Sequence, residues 1–137
     1  MENINIFIHD GARPCVTIDI LDRCLKTVIE TRACVAAMPV KDTIKIVDDN
    51  GYAISTLDRN LLWQIQTPQV FSYEVIKTAY DNLMQLVSIA GITDDAMVVE
   101  HYSNVKVKMV EGSYDNVKVT TQGDIDIVKS YFQKNSN

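Results

Sequence analysis

Hydrophobic and polar positions alternate along this chain with two different periods. Short alternating or continuously apolar runs predict strands at 3–9, 34–38, 43–47, 52–55, 61–66, 105–110 and 116–120. Apolar residues three and four positions apart predict helices at about 17–32, from 72 to about 90, at 93–101 and from about 121 past 132. Strands that alternate with helices predict an α/β layered domain with a largely parallel sheet.

The helix boundaries carry recognisable capping signals. Thr17 or Asp19 is suited to cap the first helix, Ser72 begins the second, and Thr120 or Thr121 caps the last. The second helix places its hydrophobic side chains on one face and ends before Gly91. The predicted members of this face are Val75, Ile76, Ala79, Leu83, Leu86 and Val87.

A two-stranded excursion is predicted at about residues 40–60. The turn sequence at 48–51, Asp-Asp-Asn-Gly, is a strong hairpin signal. A hairpin alone is marginally stable in water, so we expect these strands to pack against something else. Polar blocks at 41–45, 56–59 and 66–69 add lysine, arginine and threonine beyond what a turn needs. This surplus predicts a binding site for an anion.

Composition narrows the class of protein. The 137 residues are 47% hydrophobic and 23% charged, typical of a single globular domain. No apolar run is long enough to span a membrane, and the first residues do not resemble a signal peptide. The net charge of −5 disfavours a nucleic-acid binder but leaves room for a phosphorylated small molecule. Cys15, Cys24 and Cys34 lack metal-site spacing, which indicates reduced thiols in the cytoplasm.

The loop at 9–14, His-Asp-Gly-Ala-Arg-Pro, follows the first predicted strand. Ligands of α/β proteins bind where strands end, so its polar side chains are candidates for function. Asp10 is suited to bind Mg²⁺ or to accept a hydrogen bond from a substrate hydroxyl, and Arg13 is suited to bind phosphate. The alternative is an ordinary turn in which Asp10 caps local amides and pairs with Arg13.

Four other polar residues allow both a functional and a structural interpretation. Lys118 is either an exposed edge-strand lysine or a cation that faces a cleft. Arg59 follows Asp58 and therefore allows a weak local ion pair. Thr67 precedes a proline at the end of a predicted strand. The acidic pair beginning at Asp94 favours a helix cap over a metal site.

Taken in order, these blocks resemble the C-terminal portion of the 2-C-methyl-D-erythritol 4-phosphate cytidylyltransferase family. The resemblance covers nearly the whole chain and rests on the blocks at 9–14, 39–45, 56–63, 66–71, 93–96, 110–112 and 116–120. Gly11 stands where the family commonly has alanine. The glycine-rich loop that carries an arginine and a lysine for the CTP phosphates has no counterpart here. The resemblance implies a single incomplete domain at 1–137: part of a Rossmann-like nucleotidyltransferase sheet with a protruding β-hairpin dimerisation arm.

The reaction that the resemblance implies joins CTP to 2-C-methyl-D-erythritol 4-phosphate with Mg²⁺ and releases pyrophosphate. Lys118 and Arg59 would act on the reacting phosphates. The substrate-binding residues would be Asp10, Arg13, Thr43 and Thr67, with Asp10 also a candidate magnesium ligand. Thr43 and Arg59 lie on the arm, which in this family reaches the partner's site in a homodimer.

Two further expectations and two alternatives follow from the resemblance. A sheet that lacks neighbouring strands exposes apolar edges, so we expect assembly with another chain or low stability. Without a phosphate-binding loop, the chain by itself is expected to be inactive. One alternative is a cytidylyltransferase that acts on ribitol 5-phosphate. The other is a non-catalytic fragment that dimerises or binds a sugar phosphate.

Overall fold

The computed structural model describes residues 3–86 and 91–136. In chain order the elements are β1 (Asn5–Ile8), α1 (Ile18–Thr31), β2 (Ala33–Pro39), β3 (Lys45–Val47), β4 (Ala53–Thr56), a 3₁₀ turn (Arg59–Leu61), β5 (Trp63–Ser72), α2 (Tyr73–Met84), α3 (Asp95–Tyr102), β6 (Lys108–Glu111) and α4 (Gln122–Asn135). The predicted α2 face includes Val87, which lies outside the described residues. Leu86, from the same prediction, follows the helix and is exposed.

The main sheet has the strand order β1-β5-β2-β6. Strand β5 is antiparallel to both β1 and β2, whereas β2 and β6 are parallel. The prediction of a largely parallel sheet is therefore wrong: β5 runs against the other three strands. The chain leaves the sheet at the end of β2 and returns beside it as β5. That return acts as a long hairpin connection, which pairs strands antiparallel.

The hydrophobic core lies on both faces of β2. Its first six residues, 33–38, are all buried, which fits a strand covered on each side. Val35 packs with Phe71 and side chains of α2 and α3 on one face. On the other face, Cys34 and Ala36 pack with side chains of α1. The edge strand β1 is less well covered, since Phe7 remains 38% exposed.

Helices α1 and α4 bury less than their patterns predict. Thr17 caps α1, and its buried residues are Ile20, Cys24 and Val28. The apolar residues Leu21, Leu25 and Ile29 of the same helix are exposed. Helix α4 begins with a capping box between Thr121 and Asp124, and none of its residues is buried. The apolar stripes of both helices are therefore wider than the faces that this chain covers.

Strands β3 and β4 form a separate two-stranded antiparallel sheet, as predicted. Its turn is closed by Asp48, whose side chain accepts hydrogen bonds from the amides of Asn50 and Tyr52 at 3.0 and 2.9 Å. Gly51 adopts φ 85°, which glycine tolerates best. Every residue from 41 to 61 is exposed. We call residues 41–61 the arm.

The predicted strand at 116–120 is wrong, because no strand is present there. Instead the Val119 amide donates to the carbonyl of Ala12 at 2.8 Å, so this segment runs beside the loop after β1. The three cysteines are free, as predicted, and all three are buried. None of the helices in the described part is both long enough and apolar enough to cross a membrane.

Candidate functional site

The loop after β1 is folded by its own aspartate. The Asp10 carboxylate accepts a hydrogen bond from the Ala12 amide at 3.0 Å, and the Arg13 amide donates to the Asp10 carbonyl at 3.0 Å. These two bonds tighten the loop into a turn and leave the second carboxylate oxygen of Asp10 free for a partner outside the loop. The turn interpretation of Asp10 is thus correct as far as the local amides go.

Lys118 supplies that outside partner. Its Nζ lies 2.9 Å from Asp10 Oδ2. The hydrogen bond from Ala12, followed by the one from Lys118, lowers the pKa of the Asp10 carboxyl below its ordinary value of 3.8. Asp10 therefore pairs with Lys118, and the ion pair with Arg13 considered as an alternative is not formed. The Lys118 side chain is 53% exposed, so its ammonium group remains accessible to a ligand.

Thr67 joins β5 to the same loop through His9. The Asp10 amide donates to Thr67 Oγ1 at 3.0 Å, and Thr67 Oγ1 lies 2.9 Å from His9 Nδ1. His9 Nε2 is 3.0 Å from the Arg13 carbonyl, which only accepts. Nε2 must therefore donate, and in the neutral ring Nδ1 accepts the Thr67 hydroxyl proton. Sequence analysis gave His9 no such role.

Arg13 lies partly buried beneath the loop. Its Nη1 donates to the carbonyl of Asn116 at 2.6 Å, and Nη2 lies 3.5 Å from the carbonyl of Ile65. Burial lowers the pKa of the guanidinium, and the nearby Asp10 charge opposes that shift. Arginine keeps its charge in proteins, so a cation remains beside the carboxylate. We call Asp10, Arg13, Thr67 and Lys118 the Asp10 cluster.

Two buried amides underlie the Asp10 cluster, and sequence analysis missed both. Asn116 is fully buried, and its Nδ2 donates to the carbonyl of Thr67 at 2.9 Å and to Gln66 Oε1 at 3.1 Å. Gln66 Nε2 in turn donates to the carbonyl of Ser113 at 2.7 Å. Both residues lie within the polar blocks that carried the resemblance, but amides without charge gave no signal of a shared role.

Thr43 and Arg59 are placed elsewhere, on the arm. Arg59 Nη1 donates to the Lys41 carbonyl at 2.7 Å, and the local ion pair with Asp58, which was the structural alternative for Arg59, is not formed. Asp58 instead caps the 3₁₀ turn by accepting from the Asn60 amide at 3.0 Å. Between described residues, the Thr43 side chain makes no hydrogen bond. No hydrogen bond or salt bridge between described residues joins these two arm residues to the Asp10 cluster.

The acidic pair before α3 is a helix cap, as predicted. Asp94 accepts a hydrogen bond from the Met97 amide at 2.8 Å, and its other oxygen accepts from Gln69 at 3.1 Å. Asp95 accepts a hydrogen bond from the Tyr80 hydroxyl, and burial together with this bond raises the pKa of Tyr80 to about 12. Both carboxylates are thus engaged in the fold.

The described residues contain no group of three or more acidic, histidine or cysteine side chains placed to hold a metal ion. Asp10 is a single carboxylate beside a lysine. Mg²⁺ commonly binds through one or two carboxylates together with substrate phosphates. The donor set around Asp10 fits that shared mode and not a dedicated protein cage.

Two surface grooves lie away from the Asp10 cluster. One of about 440 Å³ is lined by residues that include Asn5 and Ser72. These two residues pair at the start of β1, whereas the Asp10 cluster follows the end of that strand. A second groove, of about 710 Å³, also includes Tyr73 and reaches α3. Neither groove is lined by a member of the Asp10 cluster.

Comparison with known proteins agrees with the resemblance. The family model for 2-C-methyl-D-erythritol 4-phosphate cytidylyltransferase matches residues 1–134. The protein of that name from Lachnospira eligens is 57% identical over 89% of this chain and 54% of its own length. The one from Alkaliphilus oremlandii is 46% identical over 90% of this chain and 51% of its own length.

Solved structures share the fold. The 4-diphosphocytidyl-2C-methyl-D-erythritol synthase of Anaerococcus prevotii aligns with a TM-score of 0.84 and 35% identity, covering 94% of this chain and 58% of that one. The cytidylyltransferase of Thermus thermophilus aligns with a TM-score of 0.82 and 26% identity, covering 94% and 62%. The fold is thus the Rossmann-like α/β fold expected from the resemblance, and the chain spans about half the length of the relatives it matches. It belongs to the 2-C-methyl-D-erythritol 4-phosphate cytidylyltransferase family.

Proposed function

We propose that this chain carries the sugar-phosphate half of a cytidylyltransferase site. The enzyme transfers a cytidylyl group from CTP to 2-C-methyl-D-erythritol 4-phosphate in non-mevalonate isoprenoid synthesis. The observation that carries the proposal is the Asp10 cluster, in which two cations, a carboxylate and a hydroxyl from three separate segments meet. Family membership supplies the reaction.

The chemistry needs charge neutralisation more than it needs a protein nucleophile. An oxygen of the substrate phosphate attacks the α-phosphorus of CTP, and the bond to the β-phosphate oxygen breaks to release pyrophosphate. Positioning and electrostatic stabilisation dominate such transfers. Lys118 is our candidate for stabilising charge at the α-phosphate, since its ammonium group is half-exposed. Arg13 and Thr67 would bind on the side of the sugar phosphate, and Asp10 would bind its hydroxyls.

Mg²⁺ is the proposed cofactor, shared between Asp10 and the phosphates of CTP. When bound, the ion would neutralise charge on those phosphates. Asp10 would then exchange part of its interaction with Lys118 for the ion. These 137 residues include only five glycines and no glycine-rich phosphate loop. We therefore propose that the chain by itself transfers nothing, and that the nucleotide phosphates need a further segment.

The arm is the proposed dimerisation element. All of its residues are exposed, including Ile46 and Ile54 at 46% and 65%. A second copy of the chain would cover these apolar side chains and would receive Thr43 and Arg59 at its own site. Arg59 would then bind the sugar phosphate and act on the reacting phosphates in trans. The three free thiols are consistent with a reducing cytoplasm as its location.

Two other functions are the alternatives to this proposal. A ribitol 5-phosphate cytidylyltransferase would use the same cations on a different polyol. The block at 56–60 and the acidic pair at 94–95 resemble the methylerythritol enzyme more closely, which favours that substrate. A non-catalytic fragment would retain sugar-phosphate binding through the Asp10 cluster and transfer nothing under any condition.

The test compares the chain with a full-length hybrid. The hybrid joins these residues to the part of the Lachnospira eligens relative that they do not cover. Pyrophosphate release from CTP and Mg²⁺ is measured with methylerythritol phosphate and with ribitol 5-phosphate. We expect turnover only by the hybrid and only with the first polyol. Preference for ribitol 5-phosphate, or no turnover by a folded hybrid, would overturn the proposal.

Calorimetry of the chain alone addresses the missing phosphate loop. We expect no micromolar binding of Mg-CTP by the 137 residues. Micromolar affinity would contradict the idea that the nucleotide phosphates need a further segment. Methylerythritol phosphate, titrated into the same sample, tests whether the Asp10 cluster binds a sugar phosphate without the rest of the enzyme.

A further inference from the structure

We propose that Asn116 is a positioning residue: its buried side-chain amide ties the segment that carries Lys118 to β5 beside Thr67, and thereby fixes the backbone carbonyl that binds Arg13. This inference rests on the proposed function for its kinetic consequence, but not for its structural one. Asn116 itself is fully buried and would not touch substrate. It would act through the three cluster residues that surround it.

Asn116 contacts two segments through different groups. Its side-chain Nδ2 donates to the Thr67 carbonyl at 2.9 Å and so holds β5. Its backbone carbonyl accepts from Arg13 Nη1 at 2.6 Å and so holds the side chain of the loop after β1. Lys118 follows two residues later, where it pairs with Asp10 at 2.9 Å. One residue therefore sets the spacing among a hydroxyl, a guanidinium and an ammonium group.

The orientation of the Asn116 amide is fixed by its surroundings. The Thr67 carbonyl only accepts, so it must face the nitrogen of Asn116 and not its oxygen. Gln66 is fixed in the same way, because its Nε2 donates to the Ser113 carbonyl at 2.7 Å and leaves Oε1 to accept from Asn116 at 3.1 Å. A side chain at Gly112 would collide with Gln66 Oε1, so glycine there leaves room for this amide pair.

A simpler interpretation is that Asn116 only stabilises the fold. Any buried, hydrogen-bonded amide contributes to stability, and its loss leaves acceptors without partners. Gln69, on β5, is such an amide: it is 3% exposed, donates to Asp94 and accepts from the Ala96 amide at 2.9 Å. Its partners belong to α3 and its N-cap, not to the Asp10 cluster. Gln69 is therefore the matched control for Asn116.

Hydrogen exchange on the chain itself separates the two interpretations. The reporters are the Asp10 amide, which donates to Thr67 Oγ1, and the Val119 amide, which donates to the Ala12 carbonyl. In Asn116→Leu we expect both amides to exchange at least ~10-fold faster relative to the amides of β2. The loop and the segment around Asn116 would open locally more often while the sheet stays folded. Gln69→Met should either leave the exchange rates unchanged or raise those of the two reporters and of the β2 amides by the same factor. Equal acceleration of reporters and β2 in Asn116→Leu would overturn the proposal.

A second variant guards against loss of folding. Gln66→Met removes the acceptor for Asn116 and the donor to Ser113 while keeping a similar volume, and it should accelerate the same two reporters. If Asn116→Leu does not fold, this variant decides the question. Reporters that stay protected in folded Gln66→Met would then refute the positioning role.

The kinetic readout uses the full-length hybrid. We expect Asn116→Leu to lower kcat by about 10- to 100-fold, since small misplacements of catalytic groups carry costs of that order. Folded Gln69→Met should retain the kcat of the parent. An unchanged kcat in folded Asn116→Leu would overturn the proposal. Should the parent hybrid show no turnover, the proposed function fails, and hydrogen exchange still decides the role of Asn116.

Discussion

The Asp10 cluster and the arm present similar chemistry in opposite settings. Cluster residues hydrogen-bond to buried or partly buried groups on neighbouring segments, as Arg13 does with Asn116 at 2.6 Å. On the arm, the Arg59 side chain donates to the carbonyl of Lys41 within the same excursion. The cluster is therefore assembled by this chain alone. The arm carries its cation and hydroxyl on an exposed hairpin, so any ligand they bind must involve another part of the molecule or another molecule.

The largest expected effect comes from removing the exposed cation of the cluster. In the full-length hybrid, Lys118→Met should lower kcat by about 10²- to 10³-fold, the usual cost of losing one group that stabilises transition-state charge. The chain should still fold, because Lys118 is half-exposed and its pair with Asp10 lies at the surface. Steady-state pyrophosphate release, with circular dichroism as a check of folding, measures both quantities.

Lys129→Met is the matched control, since Lys129 is an exposed lysine on α4. It should leave kcat unchanged. A Lys118 variant that keeps the parent kcat would contradict the role given to the cluster and would leave its ion pair with Asp10 a purely structural feature.

The next experiment asks whether the arm works on the partner's site. Hybrids carrying Arg59→Ala or Lys118→Ala are each expected to be nearly inactive. When equal amounts are mixed and allowed to exchange subunits, about a quarter of all sites should regain both residues if the arm of one subunit serves the other. Pyrophosphate release before and after mixing measures the recovery. No recovery despite proven subunit exchange would mean that Arg59 acts within its own chain or not at all.

The sequence predicted the elements better than it predicted their pairing. Periodicity and caps located the four α-helices of the described residues, and Thr17 and Asp94 cap as expected. The directions of the strands in the main sheet could not be derived from the sequence. The chain passes from β2 through the arm and returns as β5 antiparallel to β2, where a parallel crossover was expected. The segment around Lys118 alternates like a strand, yet it pairs with a loop. Local pattern does not specify which neighbour a segment meets.

The charged residues of the candidate site were predictable from the sequence, whereas its buried, uncharged amides were not. Asp10 and Arg13 stood out as charged residues of a loop after a predicted strand, and Lys118 as a cation within an apolar run; the structure brings all three together with Thr67. Asn116 was overlooked because a buried amide is defined only by the carbonyls around it, which tertiary structure supplies. Whether Thr43 and Arg59 join the site remains a prediction, since the described residues make no such contact.

A third prediction compares the same truncation in the two regions. Ile20→Ala should lower the free energy of unfolding by about 2–5 kcal/mol, because Ile20 is 1% exposed and its loss leaves a cavity. Ile54→Ala, at 65% exposure on the arm, should change it by no more than about 0.5 kcal/mol. Urea unfolding of the dilute chain measures both. Similar losses in both variants at a concentration where the chain is monomeric would show that the arm contributes to the core.

The last prediction concerns Tyr114, which contacts the end of β2 and the start of the arm. Its hydroxyl donates to the carbonyl of Pro39 at 2.8 Å, and Lys41 Nζ lies 3.5 Å from the centre of its ring. A double-mutant cycle of Lys41→Met and Tyr114→Leu should give a coupling energy of about 0.5–1 kcal/mol, the range for an exposed cation–π pair. Tyr114→Phe keeps the ring and loses only the hydroxyl, so the Lys41 coupling should persist in that background.

Because Lys41 begins the arm, loss of this contact should also loosen the arm relative to β2. The Val40 amide, which donates to the carbonyl of Leu62 at 3.0 Å, should then exchange faster. Zero coupling with the tyrosine ring would mean that backbone pairing alone attaches the arm to the sheet.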